Sequence, residues 1–167
     1  MNISVVIPLL NESQSLNELC NSICEVMSSY GFTYEIILID DGSTDESWEV
    51  IQTLSKNSAD IKGIKFKRNY GKSQALHAGF LNCNGDVVFT MDADLQDDPK
   101  EIPEMYDMII NDNYDLVSGW KKKRFDSILF KNIPSKIFNF AARVTSGIKL
   151  NDFNCGLKAY KLSLIHI

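Results

Sequence analysis

Short runs of apolar, mostly β-branched residues alternate along the chain with segments whose apolar residues recur every three or four positions. Ile3 to Pro8 has the character of a strand, and Leu16, Leu19, Ile23 and Val26 then return at helical spacing until Gly31 stops the pattern. Tyr34 to Asp40 predicts a second strand. Ser43 with Glu46 three residues on predicts a capped helix start, and Trp48, Ile51 and Leu54 supply the apolar stripe of that helix. Ile61 to Phe66 predicts a third strand and Ala75 to Leu81 a short helix. Asp86 to Met91 predicts a fourth strand, introduced by the turn residues Asn84-Gly85. A helix follows Pro99, with Ile102, Met105, Tyr106 and Ile109 facing inward, and Tyr114 to Trp120 predicts a fifth strand.

Strands that are apolar on both faces and separated by helices belong in a mostly parallel central sheet with helices on both faces, an α/β fold. No repeat, low-complexity tract or linker divides the chain, and 167 residues suffice for one domain with a real core. In such sheets ligands sit beyond the carboxyl ends of the strands. The polar residues gather there: Asn11-Glu12 after the first strand, Asp40-Asp41 after the second, Asp92 and Asp94 after the fourth.

Composition narrows the function classes. No apolar stretch approaches the ~18–20 residues of a membrane span, and nothing at the N-terminus reads as a signal peptide. The four cysteines, at 20, 24, 83 and 155, make no metal-ligand pattern and read as reduced thiols of a cytosolic protein. A net charge of −5 argues against nucleic-acid binding. The charges are also segregated. Residues 92–104 carry six acids against one lysine, and residues 121–136 carry six bases against one acid. The first segment suits a cation, the second an anion.

Asp92-Ala93-Asp94-Leu95-Gln96 is the sharpest chemical feature. Two carboxylates one residue apart repel each other unless a cation or a hydrogen-bond network offsets them, and oxygen-only ligands suit Mg2+ or Mn2+ together with substrate phosphates. The plainer reading makes Asp92 a strand end and Asp94 a turn residue. Asp40-Asp41-Gly42-Ser43 is read partly as a turn and cap, which leaves Asp40 available to a base N–H or a ribose hydroxyl. Pro8-Leu9-Leu10-Asn11-Glu12 says little alone. Gly71-Lys72-Ser73 ends like a phosphate-binding loop, but Phe66 stands where that motif needs its first glycine, and no G-x-G-x-x-G is present.

Taken together, Pro8-x-x-Asn11-Glu12, Asp40-Asp41-Gly42-Ser43 and Asp92-Ala93-Asp94-Leu95-Gln96-Asp97-x-Pro99 resemble family 2 glycosyltransferases of the GT-A fold. Within them the chain is most similar to the dolichyl-phosphate mannose synthase and bacterial polyprenyl-phosphate glycosyltransferase branch. Arg68 to Lys72, Ser118 to Lys122 and Asp152 to Tyr160 fit the same branch, so the resemblance runs from about residue 3 to residue 161. Leu10 departs from it, standing where the family commonly carries an aromatic.

The resemblance implies a GT-A catalytic domain over residues 1–161, with 162–167 the cut end of a longer protein. It implies an inverting, metal-dependent transfer from a UDP- or GDP-sugar to a polyprenyl phosphate. Pro8, Glu12, Asp40, Lys72 and Asp92 would hold the nucleotide sugar, and Asp94 and Gln96 the Mg2+ or Mn2+. Asp152 would stand on the acceptor side, with Asp94 its catalytic counterpart. Lys121, Arg124 and Lys131 would meet the acceptor phosphate. Apolar residues from Ile128 to Phe140 mixed with bases suit a membrane surface, so the full-length protein is expected at the cytoplasmic membrane, peripheral or anchored. Oligomeric state stays open, a homo-oligomer included. Two other readings compete: a family 2 transferase to a glycan hydroxyl, and a nucleotide-sugar-binding module without catalysis. A phosphatase using Asp92 as nucleophile is disfavoured because Gln96 stands where that motif has Thr or Val.

Overall fold

The computed structural model describes residues 1–120 and 155–165. Its elements are β1 (Ile3–Leu9), α1 (Leu16–Tyr30), β2 (Tyr34–Asp40), α2 (Ser47–Asn57), β3 (Ile61–Lys65), α3 (Lys72–Leu81), β4 (Val87–Thr90), a 3-10 turn (Pro99–Glu101), α4 (Ile102–Ile110), β5 (Leu116–Ser118), β6 (Lys158–Lys161) and α5 (Leu162–Ile165). The described strands form one sheet in the order β3-β2-β1-β4-β6-β5. β1 pairs in parallel with β2 and β4, and β2 with β3. Among the described strands only β6 runs the other way, antiparallel to both β4 and β5.

The central strands are buried on both faces, which is why they read as unbroken apolar runs. One face of the sheet carries Ile3, Val5, Ile7, Ile36, Leu38 and Phe89, and packs against the stripes of α1, α2 and α4. The other carries Val6, Ile37, Ile39 and Val88 under α3, with Leu162 and Ile165 of α5 alongside. The expected helices on both faces are present. Helix α1 ends where Gly31 turns left-handed at φ 68°, which lets the N–H groups of Gly31 and Phe32 close on the carbonyls of Ser28 and Met27. Gly31 is the residue the pattern marks as a stop.

One local expectation is corrected. Helix α2 begins at Ser47, and Ser43 does not cap it. The Ser43 N–H is already taken by Asp40 and its hydroxyl by Asn11, so Asp45 serves the first turn instead, accepting from the Ser47 N–H. Lys158–Lys161, which the hydrophobic pattern leaves unassigned, is a sheet strand. Its Ala159 is buried in the core and Tyr160 meets Phe80 edge-on at 5.7 Å.

Candidate functional site

The carboxyl ends of β1, β2 and β4 form one rim. Register places Leu9 of β1 beside Asp40 of β2 and Val6 beside Thr90 of β4, so the loops that follow each strand leave from the same edge. Pro8 is buried in β1. Asp40 is fully buried; its Oδ1 accepts the Ser43 N–H at 2.7 Å, while its Oδ2 has no hydrogen-bond partner. A buried carboxyl oxygen left so costs free energy that a ligand donor can recover.

Two loops are locked together beside it. Asn11, at φ 58°, accepts the Thr44 N–H through Oδ1 at 2.8 Å and gives its own N–H to the Ser43 hydroxyl at 2.9 Å. The N–H groups of Glu12 and Ser13 go to Ser47 Oγ and Asp45 Oδ2, at 2.9 and 3.2 Å. Desolvation works to raise the Asp45 carboxyl, but hydrogen bonds from Ser47 and Ser13 outweigh it and hold it at about 2. The lock fixes Glu12 through its backbone and leaves its carboxylate near the Ser15 hydroxyl, 3.4 Å away.

A second clamp sets the start of α3. Asp41, nearly buried, accepts the N–H groups of Tyr70 and Gly71 at 2.8 and 2.9 Å. Gly71 adopts φ 96°, a conformation that favours glycine, and Lys72 follows as the first residue of α3. The Lys72 ammonium is paired with the Asp92 carboxylate. These two residues, 20 positions apart in the chain, are thus brought together.

Asp94 and Gln96 are both exposed on the loop after β4, where Asp94 Oδ1 accepts the Gln96 N–H at 3.1 Å and Leu95 turns left-handed at φ 61°. Among the described residues no group of three His, Cys, Asp or Glu side chains converges to hold a metal alone. Asp94 and Gln96 offer side-chain oxygens, the donor type that suits a hard divalent cation sharing its shell with phosphates and water. Asp97, by contrast, is buried and accepts the Asp92 N–H at 3.3 Å. Asp152, Lys121, Arg124 and Lys131 lie outside the described residues.

A model of glycosyl transferase family 2 matches residues 4–166. The chain belongs to that family. This family 2 chain is 36% identical over 166 residues to the dodecaprenyl-phosphate galacturonate synthase of Rhizobium johnstonii, covering 99% of this chain and 49% of the relative. It is 40% identical to the undecaprenyl-phosphate 4-deoxy-4-formamido-L-arabinose transferase of Pseudomonas savastanoi, covering 98% of this chain and 48% of that one. The chain thus spans about half the length of the curated relatives it matches. Among solved structures it is similar to glucosyl-3-phosphoglycerate synthase from Mycobacterium tuberculosis in complex with Mn2+, UDP and phosphoglyceric acid. That likeness has a TM-score of 0.77 at 19% identity, over 98% of this chain and 56% of that one. The family 2 chain has the GT-A fold.

Several residues that shape the rim of this family 2 chain have no binding or catalytic role expected from the sequence: Asn11, Asp41, Ser43, Asp45 and Gly156. Asn11, Asp41 and Ser43 sit inside the motifs, but hydrogen bonds between loops some 30 positions apart leave no local signal. Gly156 lies against the carboxyl group of Asp92, where an added Cβ would stand 2.4 Å from Oδ2.

Proposed function

We propose that this chain forms the donor-binding catalytic domain, over residues 1–161, of an inverting glycosyltransferase that uses a nucleotide sugar. The reading is carried by one observation: the unpartnered, buried Oδ2 of Asp40 at the strand rim that also bears the Lys72–Asp92 pair. Asp40 would accept from the nucleoside, with Pro8 and Glu12 on the adjoining loop. Lys72 would turn its ammonium to the diphosphate, held until then by Asp92. Asp94 and Gln96 would be the protein ligands of a Mg2+ or Mn2+ ion, which when bound stabilises negative charge developing on the leaving diphosphate.

The acceptor we infer is a polyprenyl phosphate, the acceptor class named in the relatives from Rhizobium johnstonii and Pseudomonas savastanoi. A phosphate monoester has a second pKa of about 6, so it is largely dianionic at neutral pH and is a nucleophile without a strong base. Attack on the anomeric carbon opposite the leaving diphosphate inverts that centre. Asp152 then orients the acceptor, and Lys121, Arg124 and Lys131 neutralise its phosphate. Contact with lipid headgroups belongs to the same proposal. Among the described residues no helix is long and apolar enough to cross a membrane.

The test is calorimetric binding of UDP- and GDP-sugars with and without Mn2+, followed by transfer assays on a short polyprenyl phosphate beside oligosaccharides. Cation-dependent binding that Asp94→Ala renders cation-independent, with product on the polyprenyl phosphate, is expected. Equal nucleotide binding with and without the ion removes the metal role. Transfer to oligosaccharide hydroxyls alone moves Asp152 to the part of general base and ends the phosphate reading.

A further inference from the structure

Three glycines near the strand ends stand so close to neighbours that a Cβ cannot be added without movement, and they differ in what must move. At Gly42 the nearest atom is the backbone carbon of Arg68 at 2.4 Å, and at Gly85 it is the backbone nitrogen of Ser4 at 2.4 Å. At Gly156 the three nearest atoms all belong to one side-chain carboxyl group: Asp92 Oδ2 at 2.4 Å, Cγ at 2.5 Å and Oδ1 at 2.9 Å. That group ends a rotatable side chain. An alanine at 156 would therefore be accommodated by displacing the carboxylate, with the backbone left in place.

The chain at Gly156 has little room to retreat. Its carbonyl accepts the buried Thr90 hydroxyl at 2.8 Å, and Cys155 and Leu157 on either side are buried. The Leu157 carbonyl accepts the Gly119 N–H at 2.9 Å, which ties the segment to the end of β5. The Asp92 carboxylate is thus bounded by the Gly156 backbone and held by the Lys72 ammonium.

We propose that Gly156 is a positioning residue of the donor site: the missing side chain sets where the Asp92 carboxylate sits, and through it where Lys72 is held for the diphosphate. The inference rests on the nucleotide-sugar reading of the site. Gly156 touches neither substrate nor metal in this scheme and acts through Asp92 alone.

The test is a double-mutant cycle in the full-length protein, with Gly156→Ala, Asp92→Ala and the pair together. UDP and GDP, each with Mn2+, are the probes for binding, and mass-spectrometric acetylation of Lys72 reads the ion pair without nucleotide. Gly156→Ala is expected to weaken diphosphate binding about tenfold, the scale of one displaced charged contact. In the Asp92→Ala background the same substitution should change it less than about twofold, because the group it strikes is gone. Lys72 acetylation should rise severalfold in Gly156→Ala and no further in the double variant than in Asp92→Ala. Thermal unfolding of Gly156→Ala should stay close to that of the unaltered protein, whereas Gly42→Ala falls well below it. An equal loss of binding in both backgrounds, unchanged Lys72 acetylation in Gly156→Ala, or a drop in Tm matching Gly42→Ala overturns the inference. If neither diphosphate binds the unaltered protein, the nucleotide-sugar reading itself fails and takes the inference with it.

Discussion

The Asp41 carboxylate receives the Gly71 N–H at 2.9 Å, so the end of β2 directly fixes the residue before Lys72. Asp41→Ala removes this bond and the one from Tyr70 together, both to a nearly buried carboxylate. Bonds to charged groups contribute about 1.5–3 kcal/mol each, with overlap between neighbours, so a loss of about 2–4 kcal/mol is expected in urea unfolding. Diphosphate affinity should fall alongside. An Asp41→Ala variant with full stability and full affinity contradicts the clamp.

Asp40→Asn separates stability from binding. The amide oxygen can keep the Ser43 N–H, while the NH2 group takes the place of the unpartnered Oδ2. Stability should hold within about 0.5 kcal/mol or improve, since a buried carboxyl group is replaced by a neutral amide. Nucleotide binding should weaken by about 2 kcal/mol, because a donor then faces a donor. Calorimetry beside urea titration reads both, and unaltered affinity would take the nucleoside away from Asp40.

Acid should loosen the protein at two places. Burial works to raise the Glu35 carboxyl, but the Lys62 ammonium, the Ser4 hydroxyl and the Asn84 N–H outweigh it and bring it below its ordinary 4.5. Asp45 is also lowered, to about 2 against 3.8. Both groups are depressed in the fold, so the unfolded chain takes up protons first as pH falls. Their stabilisation is complete above about 4.5, shrinks below it, and is lost as pH passes through each folded value, about 2 for Asp45. Lys62→Met leaves Glu35, only 1% exposed, without its cation. Tempered by the half-exposed lysine, the expected cost is about 1–2 kcal/mol at neutral pH. The acid-unfolding midpoint should move to higher pH, and an unmoved midpoint counts against the pair.

Gly42→Ala should be among the most damaging single substitutions in the rim. The residue holds φ 80°, and its Cβ would stand 2.4 Å from the Arg68 backbone carbon. A loss above about 2 kcal/mol, seen as a lower urea midpoint with an unchanged slope, is expected from the strained dihedral and the clash together.

Elements with a strong period are legible in the sequence: β1 to β4, α1, α3 and α4 lie within a few residues of the pattern. Lys158–Lys161 was not read as a strand, because a four-residue strand with lysines at both ends shows almost no alternation. The start of α2 was misplaced because Ser43 and Glu46 imitate a capping box while Asn11 and Asp40 claim Ser43 from other strands' ends. Among the described site residues, the pattern puts Glu12, Asp40, Asp92 and Asp94 at the carboxyl ends of strands, and the ends of β1, β2 and β4 share one edge, whereas Pro8 lies within β1 and Lys72 opens α3. What holds them there, from the Asp41 clamp to the glycine beneath Asp92, depends on contacts across tens of residues that no local spacing records.

The reversed direction of β6 bears on how such a chain can diversify. β5 finishes and β6 begins at the same edge, and one hydrogen bond from Gly119 to Leu157 closes the gap between them. The pairing of both strands is thus set by contacts within residues 1–120 and 155–165. Under the function proposed above, the intervening stretch would be rewritten for a new acceptor while the strands that carry the donor residues keep their register.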